Sequence, residues 1–202
     1  MPTLIIIRHG QSIYNLENRF TGSLDVELTQ FGKEEARLAG LKLINFKFDI
    51  AYTSTMKRAK ESLRIILETV HQNSIVIIEN QALNERNYGR LQGLDKNETI
   101  TKFGIEQVEL WRRSYAIRPP SGESLEDTFN RMIPFYEQEI EPELQLNKTI
   151  IIVAHGNSLR ALVMYLENIS KEAISNVNIP TGIPKQYIFD KKLKILETSY
   201  LL

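Results

Sequence analysis

Apolar and polar positions follow two rhythms that alternate along the chain. Apolar, β-branched-rich runs stand at residues 4–7, 49–54, 75–78 and 149–154, with a weaker run at 186–189 as the last strand. Runs of that length without polar alternation predict strands covered on both faces. Between them apolar residues recur at helical spacing. Thr29 is a favourable N-cap for a helix to about Ile44 that carries Ala36, Leu38, Ala39, Leu41 and Leu43. Residues 56–71 form a second helix, with Leu63, Ile66, Leu67 and Val70 on one face. Ser124-Leu125-Glu126-Asp127 fits a capping box and opens a helix through Met132, where Pro134 is placed to bend or interrupt it. A further helix over 159–166 follows Ser158. Strands alternating with helices predict βαβ units, hence an α/β fold with a mainly parallel central sheet and helices on both faces.

Residues 80–122 break that rhythm. They contain no clear strand, hold the single Trp (Trp111), and are dense in Arg and Glu. A mostly helical insertion over the active edge of the sheet is the reading that fits. No repeat, low-complexity tract or linker interrupts the rest. At 202 residues the chain is nearest to one average domain of roughly 150, so residues 1–202 read as a single domain with 80–122 as its lid.

Charge changes the picture by subtraction. Lys+Arg and Asp+Glu both number 25, so the basic excess of a phosphate-neutralising nucleic-acid binder is missing and any anion site must be local. Cys is absent, which removes disulfides, thiol catalysis and Cys-ligated zinc together. No apolar run approaches the roughly 20 residues that span a bilayer. The first run lacks a basic n-region and stops at Arg8-His9, unlike a secretory signal, so the expected compartment is the cytoplasm.

Three histidines remain: His9, His71 and His155. His71 closes a predicted helix, where a cation favours the helix dipole. The other two share a setting. Ile5-Ile6-Ile7-Arg8-His9-Gly10 and Ile151-Ile152-Val153-Ala154-His155-Gly156 each put His-Gly straight after an aliphatic strand. Ligands of open α/β sheets sit beyond the carboxyl ends of the strands, so adjacent strands would bring both imidazoles to one crevice. A lone His at a strand end is most often structural; a matched pair is not so easily dismissed. Glycine after each His lets backbone amides approach an anion. Arg8, Ser12, Asn15 and Arg58 add donors suited to a phosphoryl group. Zinc would need a third His, a Cys or a closely spaced motif, and a Walker-type loop is also missing. By type and spacing alone, Arg112-Arg113 read equally as a solvated helix end, Lys96 as a surface lysine and Thr21-Gly22 as a turn.

Arg8-His9-Gly10-Gln11-Ser12, with Asn15, Arg58 and His155-Gly156, resembles the histidine phosphatase superfamily. Four further segments resemble one branch, the 2,3-bisphosphoglycerate-dependent phosphoglycerate mutases. They begin at Glu17-Asn18-Arg19-Phe20-Thr21-Gly22, Leu83-Asn84-Glu85-Arg86-Asn87-Tyr88, Trp111-Arg112-Arg113 and Asn178-Ile179-Pro180-Thr181-Gly182. The resemblance runs from residue 4 to about 194 and implies a phosphoglycerate mutase-like α/β fold. It implies His9 as the nucleophile that becomes phosphohistidine, His155 as support for the transferring group, Glu85 as general acid/base, and Arg8 and Arg58 as catalytic cations. It implies substrate contacts from Gly10, Gln11, Ser12, Asn15, Thr21, Gly22, Arg86, Asn87, Tyr88, Lys96, Arg112, Arg113, Gly156 and Asn157. The implied cofactor is 2,3-bisphosphoglycerate as priming donor, with no metal. The implied partner is 3-phosphoglycerate or 2-phosphoglycerate, with no nucleic acid or membrane, and a homo-oligomer is left open. The chain departs from many members at Gln11, Tyr14 and Asn87, in a short 117–121 loop, and in a short stretch after Phe189. The rival activity is hydrolysis of a small phosphorylated metabolite, which differs in letting water reach phospho-His9.

Overall fold

The computed structural model describes residues 1–202. At the centre of its one sheet lie β1 (Thr3–Arg8) and β4 (Thr149–Ala154), parallel and in register, with Ile5 opposite Ile151 and Ile7 opposite Val153. On the far side of β4 come β2 (Ile50–Thr53) and then β3 (Val76–Glu79), both parallel. On the far side of β1 come β5 (Lys185–Phe189) and β6 (Ile195–Tyr200), paired antiparallel along β1–β5 and β5–β6. The sheet is therefore mainly parallel with one antiparallel margin, in the order β3-β2-β4-β1-β5-β6.

Successive side chains of a strand face opposite sides, and the two central strands are buried on both. Leu4, Ile6, Ile150, Ile152 and Ala154 enter one core, and Ile5, Ile7, Ile151 and Val153 enter the other. The chain's short helix α1 is Ile13–Leu16, and α2 (Gln30–Lys42) and α3 (Lys57–Thr69) cover the second core. Residues 80–122 contain 3-10 turns at Gln81–Leu83 and Gly89–Leu91, then α4 (Lys96–Phe103) and α5 (Ile105–Arg113). They are helical as expected, and a small apolar cluster of Phe20, Leu91, Val108 and Trp111 ties them down. The first core is covered by α6 (Leu125–Phe135) and, after β4, by α8 (Gly156–Leu166). Between these, Pro134 stays inside α6, and the chain continues through one π-helical turn (Tyr136–Ile140) into α7 (Glu141–Gln145). No helix is long and apolar enough to cross a membrane.

Five details differ from the sequence reading. Helix α8 begins at Gly156, with His155 as its N-cap, rather than after Ser158; the His155 N–H donates to Ser158 Oγ, which stabilises the earlier start. β5 is not the last strand. β6 was hidden by its polar Glu197-Thr198-Ser199 stretch, of which Glu197 and Thr198 are exposed. β3 is an edge, with Val76 62% and Ile77 45% exposed, so it adds little of the ~1.5–3 kcal/mol that a fully buried aliphatic side chain contributes. In α2 the core face is Ala36, Ala39 and Gly40, while Leu38 and Leu41 are exposed. Small residues face inward because a Cβ on Gly40 would come within 2.6 Å of Thr69 on α3. His71 lies beyond the C-cap of α3 in a left-handed conformation (φ 56°) and is exposed.

Candidate active site

The carboxyl ends of β1 and β4 deliver His9 and His155 to one place. Because the strands pair in parallel, the His9 N–H extends the ladder to the Ala154 carbonyl, and the two ring centroids are 4.9 Å apart. Both imidazoles are buried. His9 Nδ1 lies 2.6 Å from the Gly10 carbonyl oxygen. A carbonyl can only accept, so Nδ1 carries the proton and Nε2 keeps its lone pair. His155 Nε2 pairs with Ser54 Oγ at 2.7 Å. Burial, then the positive charges of Arg58 and Arg8, hold the His9 imidazole well below its ordinary value near 6.5. The same burial and Arg58, followed by His9 and Arg8, do this to His155.

The turn after β1 is fixed from behind. A Cβ on Gly10 would stand 2.0 Å from the Gly32 carbonyl oxygen, and one on Gly32 would stand 2.1 Å from that of Gln11. Only paired glycines allow α2 to lie so close to the turn after His9. The Gly10 N–H donates to Ser62 Oγ, and the Gln11 N–H to Glu35. The other Glu35 oxygen accepts from Thr181 Oγ1, so one carboxylate joins this turn to the 178–184 segment. Ser12 caps α1 reciprocally with Asn15.

Arg8 donates to the Ile179 carbonyl, and Arg58 to those of Gly22 and Leu24. Burial lowers the Arg58 guanidinium to about 10 even with Glu85 and Asp25 nearby. Glu85 is pinned by one oxygen, which accepts the Arg86 N–H and the Asn157 N–H at the start of α8. Its second oxygen has no protein donor and stands 3.6 Å from where a Cβ on Gly156 would sit.

In front of the histidines is a narrow cleft of about 140 Å³. Of the residues predicted from sequence, Arg8, Asn15, Thr21, Gly22, Glu85, Tyr88, Lys96, Arg112, Arg113, Gly156 and Asn157 line it. His9, His155, Ser12 and Arg58 lie buried beyond its walls. Gly10, Gln11, Arg86 and Asn87 do not line it. Arg86 is fully buried over the Tyr88 ring and donates to the Arg112 carbonyl. Asn87 braces the loop, accepting from the Gly89 N–H and donating its own N–H to Glu123. Five lining residues were not singled out from sequence: Arg19, Phe20, Arg160, Asn178 and Ile179. Four of them fall in the segments that carry the family resemblance; Arg160 left one signal, a lone charge in the apolar run Leu159–Leu166. A larger hollow between α3 and β3 contains none of these residues.

The electrostatics are one-sided. Arg8, Arg19, Lys96, Arg112, Arg113 and Arg160 line the cleft, opposed by the single carboxylate Glu85. Burial, followed by Arg112, lowers Lys96 as well. The buried side-chain nitrogens without a hydrogen-bond partner in the protein are Nε of Arg8, Arg58, Arg86 and Arg160, Nη1 of Arg86, and Nδ1 of His155. All of them belong to the cleft or to the layer behind it. Unsatisfied buried donors are costly; those of Arg8 and Arg160 belong to residues that line the cleft, and those of Arg58 and Arg86 to the layer behind it. No three His, Asp or Glu side chains are grouped as metal ligands.

Residues 4–192 match the Histidine phosphatase superfamily (branch 1). The chain is 55% identical to a 2,3-bisphosphoglycerate-dependent phosphoglycerate mutase of Cytophaga hutchinsonii, over 100% of this chain and 94% of that protein. It is 49% identical to a protein of the same name from Parvibaculum lavamentivorans, over 100% of this chain and 98% of that one. Among solved structures it is similar to a mycobacterial hydrolase with TM-score 0.85 and 23% identity, over 98% and 96% of the two chains, a likeness of fold.

Proposed function

The chain belongs to the histidine phosphatase superfamily and, within it, to the 2,3-bisphosphoglycerate-dependent phosphoglycerate mutases, and from that premise we propose that it interconverts 3-phosphoglycerate and 2-phosphoglycerate in the cytoplasm. The priming donor is 2,3-bisphosphoglycerate. His9 Nε2 attacks the phosphorus of the donor, an N–P bond forms, and the P–O bond to the glycerate breaks. Glu85 gives its proton to the leaving oxygen. Phospho-His9 then passes the group to the free hydroxyl of an incoming monophosphate, with Glu85 taking the hydroxyl proton. The resulting bisphosphate reorients and returns its other phosphate to His9.

The neutral His9 with its proton on Nδ1 supports the nucleophile assignment. Arg8, Arg58, His155, Ser12, Asn15, Gly156 and Asn157 form the phosphoryl end, with Gly10 and Gln11 shaping its turn. Thr21, Gly22, Tyr88, Lys96, Arg112 and Arg113 hold the rest of the substrate, with Arg86 and Asn87 as their support. Two cations ~4 Å from a substrate charge are worth several kcal/mol at an effective dielectric near 20, so guanidiniums suffice where other phosphoryl-transfer sites use a metal. Residues 80–122 act as the lid of a single domain, supplying both Glu85 and the Arg112-Arg113 end of α5.

The observation that carries this reading is a cleft lined by Arg8, Lys96, Arg112 and Arg113 beside two buried, uncharged imidazoles and one pinned carboxylate. The test is phosphorus NMR of 3-phosphoglycerate incubated with the protein and catalytic 2,3-bisphosphoglycerate. The expected product is 2-phosphoglycerate. Free phosphate alone would make the protein a hydrolase, and no turnover would overturn the enzymatic reading.

A further inference from the structure

Arg160 is the one cleft residue that neither a motif nor the family resemblance points to, and its surroundings are unusual. It sits on α8 between Leu159 and Ala161 and is 4% exposed. It makes no ion pair within salt-bridge distance. Instead Nη1 donates to Asn157 Oδ1 at 3.0 Å and more weakly to the Arg112 carbonyl at 3.5 Å. Nη2 donates to the Arg113 carbonyl at 3.0 Å and the Ile174 carbonyl at 2.8 Å. All four Nη protons are thereby committed, to three separate segments of chain. Arg86 adds a further bond to the Arg112 carbonyl at 3.0 Å.

Two of the three accepting main-chain carbonyls, those of Arg112 and Arg113, are the last of α5. A helix end leaves such groups without intrahelical partners, and the helix dipole makes them attractive to cations. Here two buried guanidiniums from elsewhere in the fold take that role. A buried cation facing only carbonyls is costly, and an apolar side chain in its place would pack the interior of α8 more cheaply. What the charge supplies is a fixed distance between the end of α5 and the start of α8, where Asn157 and Glu85 meet. The planar fork is needed for this: a lysine ammonium cannot serve three segments in one plane.

We propose that Arg160 is a positioning residue that locks the Arg112-Arg113 end of α5 onto the catalytic helix α8, and so sets where the substrate is held relative to His9. The statement rests on the proposed role of Arg112 and Arg113 in holding the substrate. It also predicts coupling in the other direction: an anion in the cleft supplies the counter-charge that the guanidiniums lack, so ligand binding tightens the α5 docking.

The test uses the full-length protein and three variants, Arg160→Lys, Arg160→Ala and Arg112→Ala, with both Arg160 changes also combined with Arg112→Ala. Hydrogen exchange of the amides at residues 110–114 reads the docking directly. Exchange should accelerate about tenfold or more in Arg160→Lys and slow on adding 2,3-bisphosphoglycerate to the wild type. KM for 3-phosphoglycerate should rise about tenfold in Arg160→Lys, while phosphate release from phospho-His9 changes less than about threefold. In the double variants KM should rise little beyond that of Arg112→Ala, since the two changes disrupt one interaction. Guanidinium ion should partly restore KM in Arg160→Ala. Unchanged exchange at 110–114, or KM effects that multiply independently, would overturn the proposal. A normal KM in Arg112→Ala alone would instead overturn the substrate-holding role, leaving the exchange result to decide on Arg160. If Arg160→Ala does not fold, Arg160→Lys carries every comparison.

Discussion

At the scale of the residue, His9 and His155 show how burial chooses a protonation state. Each is surrounded by protein and near Arg58 and Arg8, and each is held well below the ordinary imidazole range. In the unfolded chain both return to about 6.5. The sign follows: above that value neither state binds the proton, and below it only the unfolded chain does. Stability from these two groups is therefore intact above about pH 6.5 and is lost as pH falls from there toward the folded values. Two protons at about 1.36 kcal/mol per pH unit each give a slope of up to about 2.7 kcal/mol per unit. Urea unfolding between pH 7 and 5 measures it, and His155→Asn should roughly halve the histidine share. A slope unaffected by that change would mean His155 is charged in the native state. The candidacy of these residues was legible in the repeated strand-His-Gly pattern. Their neutrality was not, because it depends on what surrounds them in space.

At the scale of the element, α5 matters through its last two residues. Arg112 and Arg113 line the cleft, are about one-third exposed and share Glu109 as a partner. If they grip the substrate carboxylate, removing either should cost about 2 kcal/mol of phosphoglycerate binding, the low end for a charge pair that is only partly desolvated. Transfer from phospho-His9 to water does not need that grip. The quantity to measure is isomerisation divided by phosphate release, for wild type, Arg112→Ala and Arg113→Ala. It should fall in both variants; a constant ratio with both activities reduced would make the arginines structural. The presence of helix in 80–122 was legible from its lack of strand runs. The start of α8 was not, since Gly156-Asn157-Ser158 has poor helix propensity and becomes helical through the His155–Ser158 cap.

At the scale of the whole molecule, balanced formal charge hides a strongly cationic cleft, with carboxylates spread over the outside as surface pairs such as Arg37–Glu34 and Arg64–Glu61. Such pairs contribute little each, so the field that matters is the one at the cleft. If that field does the charge stabilisation, isomerase activity should survive exhaustive EDTA treatment. Loss of activity that manganese or zinc restores would refute the mechanism. Length, the absence of Cys, the alternating strand and helix periodicities, and the His-Gly and arginine motifs were determined by the sequence alone. Periodicity tells each element which of its own faces turns inward. It does not say which element will stand beside it. That β4 inserts between β1 and β2, that β3 is left at the edge, that Arg86 goes behind the cleft while Arg160 enters its wall, and that Glu85 meets the start of α8 were decided only by tertiary packing. These contacts join residues far apart in the chain, and the pairing of strands and helices in three dimensions is what brings them within hydrogen-bond reach.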